Sequence, residues 1–136
     1  MSSQILFIAK LEKILTFLKN SKLEYLKASD RFNLPESKRF FNMQSTIRNR
    51  FFQDIASILR SMDVEMDNLV INRLNFEQIA SSSNTKTSQN HLQKCIEFDK
   101  KLVQLYGEAL EIDLENEVLK HQNEKITKVI KENIHF

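Results

Sequence analysis

Residues 102–130 read LVQLYGEALEIDLENEVLKHQNEKITKVI, and this stretch decides how many helices the chain has. Up to Ala109 the apolar stripe is Leu92, Cys95, Asp99, Leu102, Tyr106 and Ala109, a three-to-four residue repeat broken only by one carboxylate. Carried forward at the same phase, that stripe would put Asp113 and Glu117 on the apolar face. The apolar residues instead resume out of register at Leu114, Val118, Leu119, Ile126, Val129 and Ile130. A phase break of this kind predicts a short turn near Asp113–Asn116, dividing a third helix at 88–112 from a fourth at 115–134.

Working back toward the N-terminus, Ile8, Leu11, Leu15, Leu18 and Tyr25 form a helical stripe, with Phe7, Ile14 and Leu26 beside it. This predicts a first helix over 3–29. The run Asp30-Arg31-Phe32-Asn33-Leu34-Pro35 ends it. Proline is tolerated in the first turn of a helix, and Glu36 follows near the positive end of the helix dipole. A second helix is therefore expected over 35–62, with the stripe Phe41, Gln44, Arg48, Phe51, Ile55, Ile58 and Met62. Residues 63–87 hold a short apolar piece, then Ser81-Ser82-Ser83-Asn84-Thr85-Lys86-Thr87. They read as a connector with one or two helical turns and a flexible loop, and Ser88 as the N-cap of the third helix.

Composition agrees. One glycine and one proline among 136 residues argue against strand-rich folds, whose tight turns draw on both. The chain is the length of one domain, and the reading is an all-α, single-domain four-helix bundle. Helices 1–2 and 3–4 are joined by short turns and so are antiparallel. The connector is long enough to run the length of the bundle, so helices 2 and 3 are expected parallel, in a crossover topology of the ferritin type. A net charge of +2 gives no support to nucleic-acid binding. The longest N-terminal apolar run, Ile5–Ala9, is too short for a membrane span or a signal-peptide core. A lone Cys95 excludes an internal disulfide and any Cys-x-x-Cys site, and suits a reducing compartment. The expectation is a soluble, cytoplasmic protein.

Each stripe also carries polar residues. Lys22 stands seven residues after Leu15, Gln44 and Arg48 lie on helix 2, Asp99 on helix 3 and Gln122 on helix 4. A mid-bundle polar layer is where ferritin-like proteins build a di-metal site, from two lone Glu residues and two Glu-x-x-His pairs. Here the only Glu-x-x-His is Glu132 to His135, at the end of the chain. Protonated Lys and Arg have no lone pair to offer a metal. The layer reads instead as a buried network, with Arg48 paired to Asp99 and Lys22 near Glu24 or Gln122. Alternatively, Lys22 sits at the rim with its head in water. No metal ligands, cofactor or catalytic residues are assigned. His91 and Cys95 share a face, but two ligands do not make a site, so His91 is expected exposed above a buried cysteine. Glu117 and His121 read as a surface pair. Phe40-Phe41 and Phe51-Phe52 form either a broad core stripe or a face for a partner. Tyr25 and Tyr106 could line a gap beside the polar layer.

These residues give the chain a family likeness. Asn20-Ser21-Lys22-Leu23-Glu24-Tyr25, followed by Ala28, resembles the Asp-Gly-Glu-x-Gly-Tyr run of an uncharacterised bacterial family of ferritin-like four-helix bundles. That family is a domain-of-unknown-function group and a fold relative of rubrerythrin and ferritin. Leu34-Pro35-Glu36 is similar to its Asp-Pro-Glu turn, and Phe41, Arg48, Phe51 and Ile55 to a Phe-x6-Arg-x2-Phe-x3-Leu pattern. Asp99 with Tyr106-Gly107-Glu108-Ala109-Leu110 is similar to Glu-x6-Tyr-x2-Ala-Leu, and Leu119, Gln122 and Ile126 to Leu-x2-Gln-x3-Ile. The resemblance implies the crossover bundle and no settled activity. Where the family has a carboxylate this chain has Lys22, and where it has a histidine this chain has Ile130. Both departures remove candidate metal ligands. The functional expectation is a non-catalytic protein that works by interaction or assembly, with an unknown protein partner or as a homodimer. Two alternatives are a metal-binding oxidase or storage protein and a small-molecule binder.

Overall fold

The computed structural model describes residues 3–64 and 88–133, with the backbone alone at 88–90. The described residues form four helices and no strand: α1 (Ser3–Arg31), α2 (Pro35–Ser61), α3 (Ser88–Ile112) and α4 (Glu117–Asn133). The expected turn separates α3 from α4, and the helix ends lie within a few residues of the sequence reading. The side chain of Ser88, the 65–87 part of the connector and His135 lie outside the described residues.

Local chemistry sets the boundaries. Leu34 is extended, with φ −76° and ψ 130°, as a residue before proline must be, and Pro35 opens α2. At the other end of α2, Val64 N–H bonds Leu59 C=O and Asp63 N–H bonds Arg60 C=O, each at 3.0 Å. This double bond is a Schellman closure, and it places Asp63 in the left-handed region at φ 63°. Between α3 and α4, the Asn116 side chain accepts from Leu119 N–H at 3.0 Å, satisfying one orphan donor of the new helix. Its amide also reaches back to Asp113 at 3.1 Å, which tightens the turn.

Named contacts fix the directions. Against α2, α1 is antiparallel, from Ser29–Lys38 at the turn to Ser21–Arg48 at the middle. Against α3 it is antiparallel as well, from Tyr25–Asp99 to Lys10–Glu108. Thus α2 and α3 run parallel, as the long connector predicted. In turn, α4 folds back on α3 and reaches α2 through Gln122. The closely packed pairs are α1–α2, α1–α3 and α3–α4, whereas α2 and α4 touch only lightly.

The core has two parts. The larger gathers Leu11, Ile14, Leu15 and Leu18 of α1 with Ile55, Leu59, Leu102, Tyr106 and Leu119. The smaller, nearer the α1–α2 turn, joins Tyr25, Ala28, Phe41, Leu92 and Cys95. Phe32, Phe40 and Phe41 make it aromatic, with the Phe32 and Phe41 rings stacked at 4.8 Å. Neither member of the Phe40-Phe41 and Phe51-Phe52 pairs is exposed, so both pairs serve a broad core stripe. Leu26, read as flanking the α1 stripe, is exposed.

Candidate functional site

Between the two apolar clusters lies a closed polar network. Arg48 extends from α2 into the interior and is 0 % exposed. Its Nη2 donates to Asp99 Oδ2 at 2.7 Å and to the Tyr25 hydroxyl at 3.3 Å. Its Nε donates to Ser21 Oγ at 2.8 Å and Asp99 Oδ1 at 3.3 Å. Its Nη1 donates to the backbone carbonyl of Gln44 at 3.1 Å and to its side-chain oxygen at 2.7 Å. All five guanidinium N–H groups are thereby used. Asp99 also accepts from Ser21 at 3.0 Å and from Tyr25 at 2.6 Å. The Arg48 guanidinium carbon stands 4.1 Å from the centre of the Tyr25 ring, adding a cation–π contact.

The electrostatics follow from this packing. Burial alone would lower the Arg48 pKa, but Asp99 and Tyr25 outweigh it and hold the guanidinium more firmly charged than usual. Burial, reinforced by Asp99, pushes the Tyr25 phenol well above its ordinary range. Burial pushes the Cys95 thiol up too, with Asp99 and Glu24 adding to the shift. A thiol so held is a poor nucleophile.

A second polar arm joins Tyr106 to α4. The Tyr106 hydroxyl donates to Gln122 Oε1 at 2.6 Å, and Gln122 Nε2 donates to the Phe51 carbonyl at 3.2 Å. Gln122 thus ties α3, α4 and α2 together at one point.

The third feature is a buried pair that the sequence did not suggest. His91 and Glu24 are each 1 % exposed, with His91 Nδ1 3.6 Å from Glu24 Oε1. Neither ring nitrogen nor Oε1 has a hydrogen bond among the described residues. His91 is therefore not exposed, and Glu24 lies beside it and, at 4.0 Å, beside the Lys27 ammonium rather than Lys22. The i, i+4 spacing places His91 one turn before Cys95 on the same face of α3.

Three further expectations need correction. Lys22 is not part of the buried layer but takes the alternative place at the rim: its Nζ bonds Asn49 at the exposed seam of α1 and α2, 3.1 Å away. The interior position on that turn belongs to Ser21, whose small hydroxyl leaves room for Arg48. Nor do Tyr25 and Tyr106 line a gap. Both rings are 0 % exposed and packed, with their hydroxyls committed. The expected surface partner of Glu117 was His121, but Glu117 lies 3.9 Å from Lys120. His121 instead sets its ring edge-on to Phe51.

A concavity lies elsewhere. Where α2 and α4 diverge, a cleft of about 400 Å³ opens, with Ile47, Phe51, Ile126 and Val129 on its walls. Gln44 and Arg48 reach it from the network, and Arg50, Lys125 and Lys128 line its rim with Asp54 and Glu132.

Among the described residues, no group of three His, Cys, Asp or Glu side chains is arranged to hold a metal ion, and no helix is long and apolar enough to cross a membrane. No family model matches the chain, and no curated protein or solved structure is significantly similar to it. The likeness to ferritin-like bundles therefore rests on the residues quoted from the sequence.

Proposed function

We propose that this chain is a non-catalytic four-helix bundle that acts through interaction or assembly, pairing with a second copy of itself in the cytoplasm. The observation that carries this reading is Arg48. A guanidinium with every N–H engaged occupies the interior position where a ferritin-like di-metal site would need carboxylates and imidazoles. A fixed cation there opposes any dication electrostatically, and its partners are all spent on holding it. The resemblance to ferritin-like bundles, taken with this departure, fits a bundle whose mid-bundle polar layer is structural.

Exposed side chains support assembly. Ile5 and Leu6 at the start of α1, and Leu114 and Val118 at the α3–α4 turn, are exposed apolar residues. The Lys10–Glu108 pair sets these two stretches at the same end of the bundle. Grouped apolar side chains are the usual mark of an interface. The single Cys95, buried and unpaired, suits the reducing interior of a cell.

Sedimentation over a range of concentrations tests the reading. The native chain is expected to associate, and Leu114→Lys with Ile5→Lys to leave it monomeric with the same helix content. A native chain that stays monomeric at high concentration would remove the homodimer. Elemental analysis after aerobic loading with iron or manganese tests the rest. Two tightly held ions per chain would restore the oxidase reading.

A further inference from the structure

We infer that the α2–α4 cleft is a binding site for a small amphipathic anion, an aromatic or aliphatic group carrying a carboxylate or sulfonate.

Three features of the cleft converge on this ligand class. The first is shape. At about 400 Å³ the cleft falls in the lower part of the range of small-molecule sites, roughly 300–1,000 Å³. Among the described residues, it lies along the side of the bundle where two neighbouring helices, α2 and α4, touch only lightly. Gln122 pins α4 to α2 through the Phe51 carbonyl, so the opening has a fixed hinge point rather than a sliding wall.

The second is the lining. Phe51 and Ile126 are almost wholly buried, and Ile47 and Val129 are half-covered. Together they offer a flat apolar group a wall on each side. Gln44 is 8 % exposed, and its oxygen is held by Arg48. Its amide N–H groups have no partner among the described residues, so they present donors and no acceptor to the cleft. A donor fixed from behind by a buried guanidinium suits an anionic or carbonyl oxygen.

The third is charge. The Arg48 charge is balanced by Asp99. Lys128 and Glu132 lie 3.9 Å apart and largely balance each other. This leaves Arg50 and Lys125 against Asp54 at the rim. The rim therefore favours an anion, and the apolar walls favour one with a hydrophobic body over phosphate or sulfate.

The dye 8-anilinonaphthalene-1-sulfonate has this chemistry. Uncharged N-phenyl-1-naphthylamine, of the same shape, isolates the contribution of charge. Saturable binding of one sulfonate dye per chain is expected, tighter than that of the neutral dye. Arg50→Glu with Lys125→Glu, both surface changes, should weaken the sulfonate by about tenfold or more and leave the neutral dye little changed. Val129→Trp should fill the cleft and abolish both, with the helix content unchanged. Three results would overturn the proposal: no saturable binding, equal loss of both dyes on charge reversal, or binding that survives Val129→Trp and disappears in Leu114→Lys. The last would put the dye on the apolar end of the bundle.

Discussion

Arg48 and Asp99 meet through the interior at 2.7 Å, from two parallel helices that do not pack side by side. The pair is therefore a strut across the bundle rather than a stitch along a seam. It fixes how far α3 slides relative to α2, because Asp99 must stay level with Ser21, Tyr25 and Arg48 at once. Buried ion pairs add little to stability in general, and their best-attested use is setting register.

Removing one partner leaves a buried charge. Arg48→Met and Asp99→Leu should each destabilise by about 3–5 kcal/mol. The double variant should cost well under their sum. It will not be neutral, because it orphans Ser21 Oγ and the Tyr25 hydroxyl, at about 1–3 kcal/mol each. Urea unfolding of both singles and the double closes the cycle. Simple additivity would mean that the two residues do not couple.

Glu24 and His91 should behave in the opposite way. Three of their polar atoms are buried without a hydrogen bond among the described residues, and the Lys27 ammonium 4.0 Å from Glu24 Oε2 offsets this only in part, so the pair carries desolvation cost with little return. Replacing both by apolar residues, Glu24→Leu with His91→Phe, should stabilise by about 1–3 kcal/mol. In a chain of 136 residues each kcal/mol is about 3–5 °C of melting temperature. A double variant that melts below the native chain would show that the pair performs a task the static geometry conceals.

What could be read from the sequence, and what could not, divides along periodicity. The four stripes, the phase break at Asp113–Asn116 and the parallel α2 and α3 followed from apolar spacing and connector length. Arg48 and Asp99 could be matched because each is a charge in mid-stripe. Ser21 was invisible, since a serine on a helix looks like surface unless one knows that a long side chain must pass beside it. Lys22, one residue on and about 100° further round the helix, stands seven residues after Leu15 and has a long stem, so spacing alone favoured the wrong residue. His91 lies near the start of α3, where the stripe is too short to show which face is covered. The α2–α4 cleft depends on how far two helices diverge, and helix separation leaves no trace in spacing.

The end of α2 offers a test of backbone strain. Asp63 has φ 63°, a conformation that costs most residues about 1–2 kcal/mol and glycine almost nothing. Its carboxylate also sits at the negative end of the helix dipole, which is mildly unfavourable. Asp63→Gly should stabilise by about 0.5–1 kcal/mol, and Asp63→Asn by less, since it removes only the charge. Asp63→Ala should destabilise. Thermal unfolding of the three variants decides, and a stabilising alanine would show that the strain is absent.

The last expectation concerns alkali. Burial raises the Cys95 thiol, and it raises the phenols of Tyr25 and Tyr106 well above their ordinary range. In the unfolded chain these groups ionise at ordinary values, about 8.5 for the thiol and about 10 for the phenols. Above those values the unfolded state holds fewer protons than the native state, so stability must fall as pH rises. The contribution of Cys95 is complete below about pH 8.5 and declines from there toward its higher folded value. The two tyrosines begin to act above about pH 10. Each group steepens the decline by up to about 1.4 kcal/mol per pH unit. Urea unfolding between about pH 7.5 and 11 should therefore show a shallow fall, then a steep one. Cys95→Ser should flatten the first stretch and leave the second, because serine does not titrate there. A native chain equally stable at about pH 7.5 and 9.5 would mean that Cys95 ionises within the fold. A thiol reagent gives the independent check: at about pH 8 it should label Cys95 only as fast as the bundle opens, and at once in denaturant.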